Sequence, residues 1–336
     1  MKKTYYLFNP GKLSRKDNTL KFTTLDENGA EKESRYLPIE GTEDLFVFGA
    51  MDANSSLYNF LGKNRVAVHF FDFYEHYTGS FMPKEYLLAG KMQIEQTRFY
   101  LDDVKRLALA KKFVEGSCSN ILKNLKYYNA DSRGKDLETE ISGIENLSLG
   151  ISESKRITEL MGVEGNIRQV YYSSFGVIVN DFAMGNRSKR PPENELNAMI
   201  SFGNSLCYSL VLGCIYHTQL NPTISFLHEP GFRRYSLALD ISEIFKPILV
   251  DRIIFKLLNR KEIQENDFVH ELNGCYLKES GRKVFVRAFE DRLQETIEHR
   301  DLKKKVSYKH LVKLECYKIV KHLLDIREYK PFKIWW

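Results

Sequence analysis

Apolar residues change their spacing once along the chain, near residue 80. Before it they form short β-branched and aromatic runs: Lys3 to Leu7, Thr19 to Thr24, Leu45 to Phe48 and Val66 to Phe73. Their length and composition predict buried strands. A Lys16-Asp17-Asn18 turn signal in the polar stretch between the first two predicts a β-hairpin there. Asn54-Ser55-Ser56 offers an N-cap for a short helix carrying Leu57, Phe60 and Leu61, with Gly62 placed to stop it. Periodicity breaks over Tyr77-Thr78-Gly79-Ser80-Phe81-Met82-Pro83, which predicts a hinge.

Beyond the hinge the spacing turns helical, over Met92 to about Tyr128, Ser152 to about Asp181 with Ser154 as cap, Glu193 to Thr218, Ser236 to Asn259 and Ser307 to Asp325. Cys275 to Val286, two short runs split by Gly281, predicts an inserted hairpin. The expected fold is α+β: a small β-rich N-terminal domain, residues 1–80, followed by a large all-helical domain, residues 84–336. Ala198 to Tyr216 carries no charge over 19 residues, approaching the length of a membrane span. Asn204 and small or hydroxylated residues such as Ser201, Gly203 and Ser209 dilute it, and the expectation is a core helix surrounded by protein.

With 336 residues, 43% of them apolar and 28% charged, the chain has enough apolar content to exclude disorder as its main state. The net charge of +6 is a mild bias towards anionic partners and identifies none. Five cysteines with no CxxC pair suggest neither a disulfide framework nor a zinc site. Together with an N-terminal apolar run too short for a signal peptide, they predict a cytoplasmic protein with no membrane partner.

Two places could carry chemistry. Glu164 shares a helix flank with Leu160, Ile167 and Tyr171, where a carboxylate is costly unless compensated. Arg168, four residues on, offers an ion pair that needs no function. Further along, His228 enters a Pro-Gly loop, and Asp240 and Glu243, three apart on the next helix, share a face. If the loop folds back, an imidazole and two carboxylates reach one point and, with Glu164, make a mixed N/O site suited to Mn²⁺ or Mg²⁺. The structural alternative pairs Asp240 and Glu243 with Arg233, Arg234 or Lys246. The remaining histidines, His270 among them, form no ligand pair at helical spacing. The basic runs Arg187-Ser188-Lys189-Arg190 and Lys303-Lys304-Lys305 read either as solvated surface or as phosphate contacts.

These segments, in this order, resemble a known family. Leu37-Pro38-Ile39-Glu40 leading to Val47-Phe48-Gly49, Phe60 to Asn64, Met161-Gly162-Val163-Glu164-Gly165, Asn197 to Tyr208, Phe226-Leu227-His228, Ser236 to Asp240 and Phe245-Lys246-Pro247 are similar to CRISPR-associated endonuclease one, the integrase of CRISPR adaptation. His69-Phe70-Phe71 and the tail from Tyr329 to Trp336 resemble its I-B subtype. The resemblance implies a homodimer built by the β-rich domain and a catalytic helical domain. It implies Glu164, His228 and Glu243 as metal ligands and Asp240 as a further acidic residue needed for activity. It also places Arg234, Lys246 and Tyr208 near DNA, and implies CRISPR-associated protein two as a partner on prespacer and repeat DNA. Many members have Asp where this chain has Glu243, which alters the reach of that ligand. The activity expected is metal-dependent DNA cleavage and strand transfer; the alternative is a catalytically silent scaffold that captures prespacer DNA.

Overall fold

The computed structural model describes residues 2–335 apart from Phe73, residues 85–88, Asp131, Asn180, Arg190, residues 232–234, Leu272, Asn273 and Asp301. The chain divides into two compact units, Met1–Leu87 and Leu88–Trp336.

The first unit contains two four-stranded sheets. Strands β1 (Lys3–Leu7), β2 (Gly11–Lys16), β3 (Thr19–Leu25), β4 (Glu31–Pro38), β5 (Thr42–Val47) and β6 (Met51–Asp52) precede helix α1 (Ser55–Lys63), and β7 (Ala67–Phe71) and β8 (Tyr77–Phe81) follow it. One sheet runs β1-β5-β7-β8 and the other β4-β3-β2-β6. Leu13, Leu20, Phe22 and Leu37 of one sheet, Leu7, Leu45, Val47 and Val68 of the other, and Leu57, Phe60 and Leu61 of α1 form one core. The Asn54 side chain caps α1 by accepting from the Leu57 N–H at 2.9 Å, as expected.

Three expectations change here. The Asp17-Asn18 turn, with Asp17 at φ 53°, joins β2 to β3. Lys3–Leu7 is not part of that hairpin; it pairs in parallel with β5, a long-range choice that local turn chemistry does not encode. Strand β4 is missing from the sequence reading because six of its first residues, Glu31 to Tyr36, are exposed, so no apolar alternation marks it. Tyr77–Phe81, read as a hinge, is an ordered strand paired with β7.

The second unit is mainly helical. Its elements are α2 (Gly90–Leu101), α3 (Asp103–Asn129), α4 (Glu138–Glu153), α5 (Ile157–Ser173), α6 (Phe175–Ile178), α7 (Glu195–Tyr216), α8 (Ser236–Lys246), α9 (Arg252–Asn259), β9 (Phe268–Glu271), β10 (Gly274–Leu277), α10 (Glu279–Gln294), β11 (Thr296–His299), β12 (Lys304–Ser307) and α11 (Tyr308–Leu323). Two hairpins, β9-β10 and β11-β12, mean that this unit is not all-helical. The hairpin expected at Cys275 to Val286 lies earlier, at Phe268–Leu277. Gly281 sits inside α10, where an added Cβ would come within 2.8 Å of Leu277. Asp102, accepting from the N–H groups of Val104 and Lys105, starts a new helix inside the expected Met92–Tyr128 span. Ser154 ends α4 instead of starting α5, its hydroxyl bonding the Gly150 carbonyl at 2.7 Å.

Helix α7 is the uncharged segment expected in the core, and most of it is buried inside the protein. At Gly203 an added Cβ would lie 2.4 Å from Val250 and 2.8 Å from Phe285, so only glycine permits this packing. The expected Ser236–Asn259 helix is interrupted at Pro247, where residues Pro247–Asp251 form a π-helical turn. Proline has no N–H to continue the α pattern. Asn124 of α3 donates to the Pro247 carbonyl at 2.5 Å, and Asn120 donates to that of Ile244 at 2.9 Å. These two buried side chains fix the end of α8 against α3.

Candidate active site

Glu243 follows Asp240 by nearly one turn of α8, and the loop 221–229 folds back over the start of that helix. Ser236 Oγ donates to the Thr223 carbonyl at 2.9 Å, and the Leu237 N–H to that of Pro222 at 3.0 Å. The Asp240 carboxylate, wholly buried, then accepts from three successive backbone N–H groups: Phe226 at 2.7 Å, Leu227 at 2.9 Å and His228 at 2.9 Å. It also takes the imidazole of His228, Nδ1 to Oδ1 at 2.8 Å. A buried carboxylate needs this many donors to offset its desolvation. With Nδ1 committed to Asp240, Nε2 is the nitrogen left to serve as a ligand.

From the other side, Arg106 of α3 holds the loop through Nε to the Phe226 carbonyl at 3.0 Å and through its guanidinium to Glu229 at 2.7 Å. The position of His228 is thus set by α3 and α8 together. Nothing in the periodicity of α3 announces Arg106, since its partners lie 120 residues on.

Glu164 of α5 and Glu243 of α8 are joined through Arg168, whose guanidinium pairs with both carboxylates. Lys246 Nζ reaches Glu243 Oε1 at 2.5 Å. Both pairings named as structural alternatives, Glu164 with Arg168 and Glu243 with Lys246, therefore exist, and they lie within the same cluster as the candidate ligands. Burial pushes the Glu164 carboxyl up, but Arg168, then Lys246 and His228, hold it below the usual carboxylate range. Burial and the repulsion of Arg168 bring Lys246 down to about 8. Asp251, in the π turn, is pushed up to about 7 by burial, only partly offset by Arg168. Lys189 is lowered by burial and by Arg187, Lys246 and Arg168, which marks a concentration of positive charge beside the carboxylates. Asn197 of α7 holds the loop with these cations, accepting from Arg187 at 2.9 Å and from the Ser188 N–H at 3.1 Å.

Among the sequence-derived candidates, Glu164, His228, Asp240 and Glu243 belong to this cluster, as does Lys246, which is half-buried instead of lying on an open basic face. Tyr208 accepts from the Tyr235 N–H at 3.1 Å, at the entry to α8. Arg234 lies outside the described residues. Asp251 was missed; its only sequence signal is a carboxylate closing the apolar run after Pro247, next to Arg252. Glu164, His228 and Glu243 are not drawn together to mutual ligand distance among the described residues; the trio within 4.8 Å of one another is Glu195, His270 and Cys275. The chemistry of Glu164, His228 and Glu243 still fits a hard divalent cation: two carboxylates that already share a cationic group, and an imidazole whose Nε2 has no partner among the described residues.

Hard oxygen and imidazole donors beside a cluster of cations define a class of site suited to phosphodiester chemistry. A family model described as "CRISPR associated protein Cas1" matches residues 5–291. A protein of Fusobacterium nucleatum subsp. nucleatum, "CRISPR-associated endonuclease Cas1", is 46% identical over all of this chain and 98% of its own length. A solved Cas1 structure from Thermotoga maritima superposes with a TM-score of 0.87 at 37% identity, covering 97% of this chain and 98% of that one. A casposase bound to integration product shares the fold, with a TM-score of 0.85 at 21% identity over 99% of this chain and 93% of that one. The chain belongs to the Cas1 family of CRISPR-associated endonucleases.

Proposed function

We propose that this chain is a metal-dependent DNA endonuclease and integrase that inserts new spacers into a CRISPR array. The observation that carries the reading is His228 held on the fully buried Asp240 carboxylate and interacting electrostatically with Glu164. A scaffold that only captured prespacer DNA would have no use for an imidazole so oriented, which favours the enzyme over the silent alternative.

In this reading Glu164, His228 Nε2 and Glu243 would hold one Mn²⁺ or Mg²⁺, whose chemistry there would be to polarise a phosphate, activate the attacking oxygen and stabilise the leaving oxygen. Asp240 is a positioning residue: it holds Nδ1 of the imidazole and so leaves Nε2 as the nitrogen that would bind the ion. Arg187, Lys189 and Lys246 supply positive charge for the DNA backbone, and Arg168 pairs with both carboxylates. With a DNA 3′ hydroxyl as nucleophile the outcome is strand transfer; with water it is hydrolysis.

We place the reaction in an assembly: a homodimer made through the N-terminal sheets, joined by CRISPR-associated protein two on prespacer and repeat DNA, in the cytoplasm. Five free, buried cysteines suit a reducing compartment. Two active sites per dimer would serve the two ends of a repeat. Incubating the protein, that partner, Mn²⁺ and a repeat-bearing plasmid with prespacer DNA tests the reading: strand-transfer products are expected, and their absence together with absent nuclease activity would leave the scaffold.

A further inference from the structure

Glu195, His270 and Cys275 come from three separate elements, yet one ligand atom of each lies within 4.8 Å of the others. The register of the β9-β10 hairpin sets His270 directly opposite Cys275. The Cys275 N–H donates to the Pro192 carbonyl at 2.7 Å, away from β9. The pair is therefore of the non-hydrogen-bonded kind, in which facing side chains stand closest. The same bond ties β10 to the segment leading into α7, whose first residue is Glu195. Its carboxylate meets His270 Nε2 at 3.2 Å. An added Cβ at Gly274 would lie 2.8 Å from that of Pro191, so the hairpin is seated hard against this segment.

We propose that Cys275 Sγ, His270 and Glu195 form a second metal site that takes one Zn²⁺, separate from the catalytic cluster. Thiolate and imidazole select a borderline-soft ion over Mg²⁺ or Mn²⁺, and three protein ligands with one open position are an established coordination for zinc. Bond lengths of about 2.0–2.3 Å in a tetrahedron put ligand atoms roughly 3.5 Å apart, so side-chain shifts of about 1 Å close the trio. The His270 side chain is 64% exposed, so the cluster is reached from solvent. Cys275 binds as its thiolate, so forming the Zn–S bond releases the thiol proton to solvent. The ion would staple the hairpin to the start of α7, the turn from which Asn197 holds Arg187 and Ser188.

The test uses the full-length protein stripped with a chelator and titrated with Co²⁺ as a spectroscopic probe. A thiolate-to-cobalt charge-transfer band in the near ultraviolet, saturating at one ion per chain and bleached by Zn²⁺, is expected. His270→Ala, at an exposed position that does not threaten folding, should weaken Zn²⁺ binding at least tenfold, by analogy with the loss that even outer-shell changes cause. Cys275→Ser should lose the band, and Glu164→Gln should keep it. No band in the wild type, a band surviving in Cys275→Ser, or unchanged affinity in His270→Ala would each overturn the proposal.

Discussion

His228 is fastened twice to one oxygen of Asp240: its backbone N–H lies 2.9 Å, and its ring Nδ1 2.8 Å, from Oδ1. Main chain and side chain are thus positioned by the same buried atom, which restricts the rotation of the ring.

Asp240→Asn tests this link. An amide offers one acceptor oxygen where the carboxylate satisfies four donors, and each buried donor left unpaired costs about 1–3 kcal/mol. The variant should melt at a lower temperature and need about 10–100-fold more Mn²⁺ for half-maximal cleavage. Thermal melts and Mn²⁺ titrations of nuclease activity read both effects. An unchanged Mn²⁺ requirement would show that Asp240 supports the loop alone.

Arg168→Gln removes the cation shared by Glu164 and Glu243. Glu164 then loses its cation and Glu243 keeps Lys246 alone, so the variant should melt at a lower temperature. Mn²⁺ should then raise the melting temperature of the variant more than that of the wild type, because the ion replaces the missing charge. Equal Mn²⁺ shifts in both proteins would separate Arg168 from the metal site.

Lys189 is exposed and lies within the field of three further cations. Lys189→Ala should reduce the magnitude of the log-affinity against log-salt slope for duplex DNA by about 0.9. Lys246 is only 13% exposed and paired with Glu243, so Lys246→Ala should change that slope less. Anisotropy titrations across a salt series check both, and an unaltered slope in Lys189→Ala would remove it from the DNA path.

Asp251 predicts a pH dependence of stability. Its folded pKa of about 7 lies above the ordinary carboxylate value, so the folded state binds its proton more tightly than the unfolded state does. Stability should therefore fall as pH rises from about 4 to about 7, by at most ~1.4 kcal/mol per pH unit from this group. Asp251→Asn should flatten that part of the profile. Denaturant unfolding across the window measures it; an unchanged slope in the variant would assign the dependence elsewhere.

The candidate site was legible in part because Asp240 and Glu243 are helical neighbours and Glu164 interrupts an apolar flank, both features of local spacing. What escaped the sequence depends on distant pairing. Arg168 shows a partner four residues before it, but its second partner, Glu243, is 75 residues on. His270 and Cys275 meet only through the register of a hairpin that the sequence reading placed several residues too late. In the first unit, β2 and β3 announce themselves through their turn. By contrast, β4 carries polar residues on nearly every position, and its strand character comes from pairing with β3.

The most direct measurement is a strand-transfer assay on Glu164→Gln, His228→Ala and Glu243→Gln in the complete assembly with Mn²⁺, alongside thermal melts and duplex affinity for each. The account predicts that all three variants remain folded, bind DNA close to the wild-type level and give neither integration nor cleavage products. Wild-type strand transfer by any one of them at saturating Mn²⁺ would contradict the three-ligand site.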